Sequence, residues 1–446
     1  KIRSKRVVMD DMYYMVVSSF QKKEAYNVAN DPRNISTVPT MHTLRLSGYT
    51  YAFKMDVLYG VKWYVPGSTP AEIAGRMLDM CSDTNIVGQG DYSRFDASIT
   101  EWLRDNVEFA AYRRWVADEC WAELNTLLVN ETRTKAFTKS GIKYSPESSR
   151  LSGSPLTTDG NTIINAFVAF AACRERGVDA EHAFRNLGLF YGDDSLVTDT
   201  VIAGDDGVKC MVRTAAFLGL KLKMGVSLRG QPVQFLSRIF VDPWTTPGSF
   251  AEPVRALAKI HTTIDSVHDI EQCGFSKVTS YLVTDGATPG LSDWCRAYLR
   301  IMVRKFDILE TNDLPYWWRD GESRTHPWPQ EGVAEAKAIV AQTLGIDETS
   351  LEQWIVDLGK STSLDGLPVL GVEEPEVKLD SWIDGELRKA GGSLVANIVL
   401  EQNGSGNEEG SEFIGLQSRP NGGQNGRDSQ ARVRSPTGNS GSGAGP

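Results

Sequence analysis

Two aspartates stand side by side in Leu187-Gly-Leu-Phe-Tyr-Gly-Asp-Asp-Ser-Leu-Val-Thr198, with an apolar run on each side. Adjacent carboxylates repel, so their most economical use is to share a cation, and oxygen-only ligation suits Mg²⁺ or Mn²⁺. Asp193 and Asp194 are therefore a candidate metal site. Gly-Asp-Asp is also ordinary turn chemistry, and the chain carries its own control in Gly204-Asp205-Asp206. A helical pattern through Phe217 follows that second copy, so Asp205 or Asp206 is expected to cap a helix N-terminus.

Two further carboxylates lie in Gly88-Gln-Gly-Asp-Tyr-Ser-Arg-Phe-Asp-Ala-Ser98. Asp91 ends an expected strand, and Ser98-Ile-Thr-Glu101 reads as a capping box opening a long amphipathic helix through Trp115. That leaves Asp96 in the turn between them. Such a placement suits an active site, and equally a turn and a cap. Gly88-Gln-Gly90 lacks the third glycine of a dinucleotide fingerprint, so a Rossmann reading is weak.

Uncharged and basic groups complete the chemical inventory. In Leu151-Ser-Gly-Ser-Pro-Leu-Thr-Thr-Asp-Gly-Asn-Thr162, Ser152 and Gly153 form a loop, and Ser154 with Pro155 is expected to start a buried helix. Thr157 and Asn161 share one face of that helix. They read as a buried polar pair, or as groups recognising a ribose and placing a template. Lys22, Lys23 and Arg33 could clamp a triphosphate or form a solvated basic face. Lys221 and Lys223 share one face of an alternating strand, where Lys223 could protonate a leaving phosphate.

The elements that must position these groups follow from the patterning. Residues 187–198 read as strand, tight turn and strand with the aspartates at the tip. Ile73, Met77, Leu78 and Met80 mark a packing helix, and Val226 to Phe240 reads as further hairpins. From about Pro253 the patterns are mainly helical, notably Leu291–Val303, Gly332–Leu344 and Ser350–Leu358. Trp317, Trp318 and Trp328 sit in Pro-interrupted connections, suited to packing or to stacking on bases. From Asn403 the chain is rich in Gly, Ser, Asn and Gln and is expected to be disordered.

Composition bounds the partners. The 446 residues carry a net charge of −10, but Asp307–Asp380 alone holds 16 acidic and 5 basic residues, so the remainder is nearly neutral. The opening stretch Lys1–Gly60 has nine Lys or Arg against five acids, which is compatible with RNA or DNA. Six scattered cysteines without a Cys-x-x-Cys pair argue against zinc or a disulfide framework. The apolar run Ala166–Cys173 is far short of the roughly twenty residues that span a bilayer. The chain opens at Lys1 without a signal-peptide pattern, so a piece of something longer is expected.

The order of the motifs carries more than any one of them: basic clamp, Asp91-x4-Asp96, Ser152-Gly-x3-Thr-x3-Asn161, Gly192-Asp-Asp194, the Lys223 strand, then Phe235-Leu-Ser-Arg238. In that order the sequence resembles the RNA-dependent RNA polymerases of positive-strand RNA viruses, with motifs F, A, B, C, D and E in turn. Tyr51-Ala-Phe-Lys54, Lys62-Trp-Tyr64 and Gly90–Asp96 look most like the nodavirus replicase polymerase domain, with tombusvirus-like polymerases next.

The resemblance implies an α+β, right-hand polymerase with fingers, antiparallel-sheet palm and mainly helical thumb. Residues 1–250 would be fingers and palm, 251–372 the thumb and 373–446 a mostly disordered tail. It further implies that Asp91 and Asp193 hold two Mg²⁺ or Mn²⁺ ions, with Asp194 in support. Asp96 and Asn161, helped by Thr157, would read the ribose 2′-hydroxyl, and Lys22, Lys23 and Arg33 would grip the NTP. Ser152 and Gly153 would move with the template RNA, Lys223 would protonate pyrophosphate, and Phe235–Arg238 would bear on the primer. N-terminal fingers structure is expected to be incomplete. A region upstream would anchor the intact replicase to an intracellular membrane in the host cytoplasm. A reverse transcriptase-like palm and a non-catalytic RNA-binding scaffold derived from a polymerase are the competing expectations, and a plain acidic interaction protein is the simplest.

Overall fold

The computed structural model describes residues 15–24, 32–204, 206–264, 269–302 and 328–370, with the backbone of a hairpin at 380–383 and 386–389. That hairpin, Asp380–Ile383 against Glu386–Lys389, belongs to a separate unit, Glu376–Pro446. Asp205, Trp317, Trp318 and the tail beyond Asn403 lie outside the described residues.

The first described elements are β1 (Val16–Gln21), β2 (Asn34–Thr37), α1 (Thr40–Asp56) and α2 (Pro70–Ser82). Helix α2 starts at a complete capping box. Thr69 Oγ1 accepts from the Glu72 backbone, the Glu72 carboxylate accepts from Thr69 N, and Pro70 has no N–H to satisfy. After β3 (Ile86–Tyr92) comes α3 (Phe95–Ser98), an extended residue at Ile99, α4 (Glu101–Leu103), a π turn (Arg104–Glu108) and α5 (Phe109–Trp115).

The single helix expected from Ser98 is thus broken into pieces, and its cap is Thr100, whose hydroxyl accepts from Leu103 N at 3.3 Å. Ser98 is still inside α3 and donates to Arg94 O at 3.1 Å. Asp96 accordingly lies in α3, not in a turn.

Next follow α6 (Asp118–Asn130), β4 (Lys135–Thr138), β5 (Lys143–Tyr144), α7 (Thr157–Glu175) and α8 (Ala180–Arg185). Strands β2, β1, β4 and β5 form one sheet in that order. Helix α7 begins later than Ser154 and Pro155 suggested, because Ser154 Oγ is spent on a preceding turn, accepting from Leu156 N at 3.1 Å. A hairpin of β6 (Gly188–Tyr191) and β7 (Asp194–Val197) leads through α9 (Asp199–Ile202) and α10 (Gly207–Phe217) to β8 (Leu222–Leu228). Asp206 takes the N-cap position of α10 without a side-chain cap; its carboxylate lies 3.8 Å from Arg213 instead.

Strands β6, β7, β3 and β8 make an entirely antiparallel sheet in that order. Side chains alternate across a strand, so β6, β7 and β3 each feed two cores. Phe190 and Val197 pack with Ile164, Val168, Cys210 and Met211 of α7 and α10. Leu189, Val87 and Leu196 face Ile73 and Met77 of α2, with Val233 and Phe240. Each fully buried aliphatic or aromatic side chain contributes about 1.5–3 kcal/mol. The sheet is thus packed on both faces over β6, β7 and β3, while β8 forms an edge on which Val226 and Leu228 are exposed.

Beyond it, β9 (Val233–Phe235), β10 (Arg238–Phe240) and β11 (Ser249–Ala251) form a small antiparallel sheet. Helices α11 (Pro253–Ile260), α12 (Ile270–Asp285), α13 (Leu291–Met302), α14 (Val333–Leu344) and α15 (Glu348–Lys360) follow, around a core including Phe275, Trp294, Val340, Leu351 and Trp354. Trp328 packs, lying edge-on to Phe240 and over the Arg238 guanidinium at 4.6 Å.

Candidate active site

The end of the β6-β7-β3-β8 sheet gathers the acidic residues. Strand β3 pairs Gly90 with Ser195 of β7, and the same register continued by one residue sets Asp91 across from Asp194. Asp194 pairs with Tyr191, which leaves Gly192 and Asp193 as the turn, with Gly192 at φ 62°. The turn is tighter than the sequence suggested: Asp194 is the first residue of β7. On β3, a Cβ at Gly90 would run into the Ser195 hydroxyl. The glycine there allows the strands to close up just before Asp91.

Asp91, Asp193 and Asp194 are all exposed to solvent at this end, yet protein crowds the hairpin pair. Burial pushes the Asp193 carboxyl above its usual range, and the Asp96 and Asp91 charges add to the rise against relief from its own backbone amide and Arg33. Burial, then the charges of Asp193 and Asp91, raise Asp194 to about 6, with Arg255 opposing. The hairpin carboxylates thus lie in the field of like charges, a repulsion that a cation bound there would relieve. Among the described residues no three His, Cys, Asp or Glu side chains already enclose an ion position. An open, all-oxygen donor set of this kind still fits Mg²⁺, which keeps water and substrate oxygens in its shell.

Helix α7 holds the turn from beneath. Thr162 Oγ1 accepts from Gly192 N at 2.8 Å, and Asn165 Nδ2 donates to the carbonyls of Gly192 at 3.1 Å and Asp193 at 2.9 Å. Both side chains are completely buried. Neither was singled out from the sequence, although a lone amide within Ile163–Phe170 is a usable signal, since buried polar groups need partners.

The same helix carries the candidate sugar-reading pair. Asn161 Nδ2 donates to Asp96 Oδ1 at 2.7 Å. Thr157 faces elsewhere: its hydroxyl lies within hydrogen-bond reach of the carbonyls of Leu151, 3.0 Å, and Ser154, 2.9 Å. That hydroxyl fixes the loop at the start of α7. Ser152 and Gly153 dock on β2, where Ser36 N donates to Ser152 Oγ at 3.1 Å and Gly153 N donates to Ser36 O at 2.9 Å. A Cβ on Gly153 would sit 2.6 Å from Ser36 O. Lys54 and Tyr64 converge on the buried Asp159 of α7, through an ion pair of 3.2 Å and a hydrogen bond of 2.5 Å.

The basic residues divide into two groups. Lys22, Lys23 and Arg33 are exposed, with the Arg33 charge acting on Asp193, and Glu24 occupies two of them: Arg33 Nε donates to it at 2.9 Å and Lys22 lies 3.6 Å away. Lys223 is exposed on β8 and paired with Asp91. Lys221 precedes that strand, its carbonyl accepting from Ser93 N at 2.9 Å.

Arg238 requires a correction. Its guanidinium is buried and donates to Asp285 at 2.9 and 3.2 Å and to Ser249 at 3.0 and 3.1 Å. Its donors are turned inward, so it ties β10 to α12 instead of meeting a primer.

Residues 46–244 match the family model described as viral RNA-dependent RNA polymerase. The RNA-directed RNA polymerase of Striped jack nervous necrosis virus is 44% identical over 382 residues, covering 85% of this chain and 38% of that protein. That of Macrobrachium rosenbergii nodavirus is 30% identical over 392 residues, covering 83% of this chain and 36% of that protein. The chain therefore spans well under half the length of these curated relatives. Among solved structures, the insertion loop deletion mutant of the RNA-dependent RNA polymerase of a human picorbirnavirus has a TM-score of 0.50 at 14% identity, covering 74% of this chain and 64% of that one, a likeness of fold alone. By motif order, by its right-hand α+β fold and by these relatives, the chain belongs to the viral RNA-dependent RNA polymerases, with nodavirus polymerases among its kin.

Proposed function

We propose that this chain is the catalytic part of an RNA-directed RNA polymerase that copies a viral RNA genome, adding ribonucleotides from NTPs to an RNA 3′-hydroxyl under a template strand. The observation that carries this reading is the meeting of Asp91, Asp193 and Asp194 at one open sheet end, beside Asp96 and Asn161. Asp91 and Asp193, supported by Asp194, would hold two divalent ions, Mg²⁺ or Mn²⁺. Bound there, the ions would acidify the 3′-hydroxyl and offset the charge of the triphosphate.

The remaining residues would bind, orient and move protons. The 3′-oxygen attacks the α-phosphorus as the bond to the β-phosphate breaks, and Lys223 gives a proton to the departing pyrophosphate. Arg33, with Lys22 and Lys23, would release Glu24 and take the triphosphate in its place. Asp96, oriented by Asn161, would accept from the ribose 2′-hydroxyl, the group that separates RNA from DNA precursors. Thr157 would hold the Ser152-Gly153 loop that meets the template.

The intact protein would work in the host cytoplasm, at an intracellular membrane, through a region outside this chain. Resemblance to replicases whose membrane association resides upstream supports that placement, and membrane flotation of the full-length protein against this chain tests it. Cofractionation of this chain alone would refute it.

The decisive assay follows labelled nucleotides on a primed RNA template with Mg²⁺ or Mn²⁺, using this chain and its Asp193→Ala variant. Templated, ribonucleotide-selective extension that is lost in the variant is expected. Undiminished extension by the variant would overturn the proposal.

A further inference from the structure

Behind the Asp96–Asn161 pair runs a chain of charges with no access to solvent. Arg150 Nε donates to Asn161 Oδ1 at 2.8 Å, and Arg150 Nη1 donates to Glu108 Oε1 at 2.6 Å. Glu108 also accepts from Arg104 Nη1 at 3.1 Å. Beyond Arg104, Glu131 lies 4.0 Å away and in turn meets His42 Nε2 at 2.7 Å. The side chains of Arg104, Glu108, Arg150, Glu131 and His42 are all 0% exposed.

This arrangement decides which way the Asn161 amide points. A guanidinium only donates and a carboxylate only accepts. Arg150 must therefore face the Asn161 oxygen, which turns Nδ2 toward Asp96, and rotating the amide by half a turn would set donor against donor and acceptor against acceptor. The Arg150 backbone completes the brace, its N–H donating to Asp96 O at 2.8 Å. Arg150 thus grips Asp96 twice, directly at the main chain and through Asn161 at the side chain.

Two features fix Arg150 itself. The π turn at Arg104–Glu108, where Phe109 N reaches back to Arg104 O, widens the helix and brings Glu108 inward. At Gly160 on α7, a Cβ would run into the Glu108 carboxylate and sit 2.7 Å from Arg150 Nη2. The glycine is the space in which this ion pair lies.

We infer that Arg150 is a positioning residue for sugar selection: anchored by Glu108 in the cradle of Gly160, it sets the Asn161 amide so that Asp96 presents its remaining oxygen to the ribose 2′-hydroxyl. The inference rests on the proposed polymerase reading, in which Asp96 and Asn161 meet the sugar.

A double-mutant cycle tests it. The 446-residue chain is bound to a primed RNA whose primer ends in a 3′-deoxynucleotide, so nothing can be added. The affinity ratio of ATP to 2′-deoxy-ATP is then measured with Mg²⁺ for wild type, Arg150→Lys, Asn161→Ala and the double variant. Unfolded molecules weaken both affinities equally, so the ratio reads only the folded site. Loss of one oriented hydrogen bond predicts a ratio about tenfold lower in Arg150→Lys, and no further fall when that change is added to Asn161→Ala.

A wild-type ratio in Arg150→Lys alongside a lowered ratio in Asn161→Ala would overturn the positioning role, as would effects that multiply in the double variant. If Asn161→Ala leaves the ratio unchanged, the sugar-reading assignment itself fails, and the positioning role with it. Should Arg150→Lys not fold, Glu108→Gln takes its place in the cycle, since it keeps the guanidinium and weakens its anchor.

Discussion

Two clusters of charge meet at helix α7 and obey opposite rules. Inside the protein, Arg104, Glu108 and Arg150 alternate in sign without solvent, joined at 3.1 and 2.6 Å. At the sheet end, Asp91, Asp193 and Asp194 share one sign and stay open to water. A buried charge is tolerable only when it is paired, because desolvation costs several kcal/mol per ion. Like charges placed together destabilise the fold unless a cation joins them. The inner cluster is thus a structural joint, and the outer one is an imbalance kept for a ligand. Burial prevents Glu108 from doing the work of Asp193, though both are carboxylates within reach of one helix.

Substitution should separate the two roles, most forcefully at the outer cluster. Asp193→Ala removes a ligand from the proposed ion site, and losing about 4 kcal/mol of charge stabilisation lowers nucleotide addition about a thousandfold. Its melting temperature should stay level or rise, because a repelling charge has gone. Single-nucleotide extension and a thermal melt on the same sample check both halves. A melt well below wild type would break the comparison.

Glu108→Ala should show the reverse balance. It leaves two buried guanidiniums without their shared carboxylate, a change that costs about 3–5 kcal/mol of stability. Urea unfolding measures it, and a loss below about 1 kcal/mol, the usual worth of an exposed pair, would show that the joint is wet. Asn165→Ala should cost less activity than Asp193→Ala and less stability than Glu108→Ala. Removing its amide frees the carbonyls of Gly192 and Asp193 at a cost of about 1–3 kcal/mol, and the loosened turn should lower the extension rate more than the NTP affinity. Equal loss in both would place Asn165 in substrate binding.

The outer cluster was legible in the sequence and the inner one was not. Asp91, Asp96, Asn161, Asp193 and Asp194 stand at fixed spacings inside short motifs, and it was the order of those motifs, through the family resemblance, that implied Asp91 beside Asp193. The inner joint brings together His42, Arg104, Glu108, Glu131 and Arg150 from separate parts of the chain, and no local pattern predicts such a meeting. Arg104 and Glu108 had the spacing of a surface helix pair; the π turn that buries them was invisible. Arg238 was misread for a related reason, since its partner Asp285 lies 47 residues away. Thr157 and Ser154 show the limit at short range, where a hydroxyl expected on a helix face or cap served the loop before it.

The finest distinction is the sign of the response to pH in metal-free buffer. Glu108 sits below the ordinary carboxylate range: burial pushes it up, but Arg150 and Arg104 outweigh that. Its contribution is therefore present above the unfolded carboxylate pKa and fades as pH falls through the lower folded value. Asp194 runs the other way. Its folded pKa of about 6 stands above the ordinary carboxylate range, so in the window between the two the folded chain keeps a proton that the unfolded chain has lost. Stability from this group is greatest at the acid end and declines as pH rises toward about 6. Asp194→Asn should cancel the decline, so its unfolding midpoint should match wild type near the acid end of the window and exceed it above the upper end. Adding Mg²⁺ should close the gap by stabilising wild type alone. A gap that opened instead toward acid would mean that Asp194 is paired like Glu108, and the two clusters would no longer differ in kind.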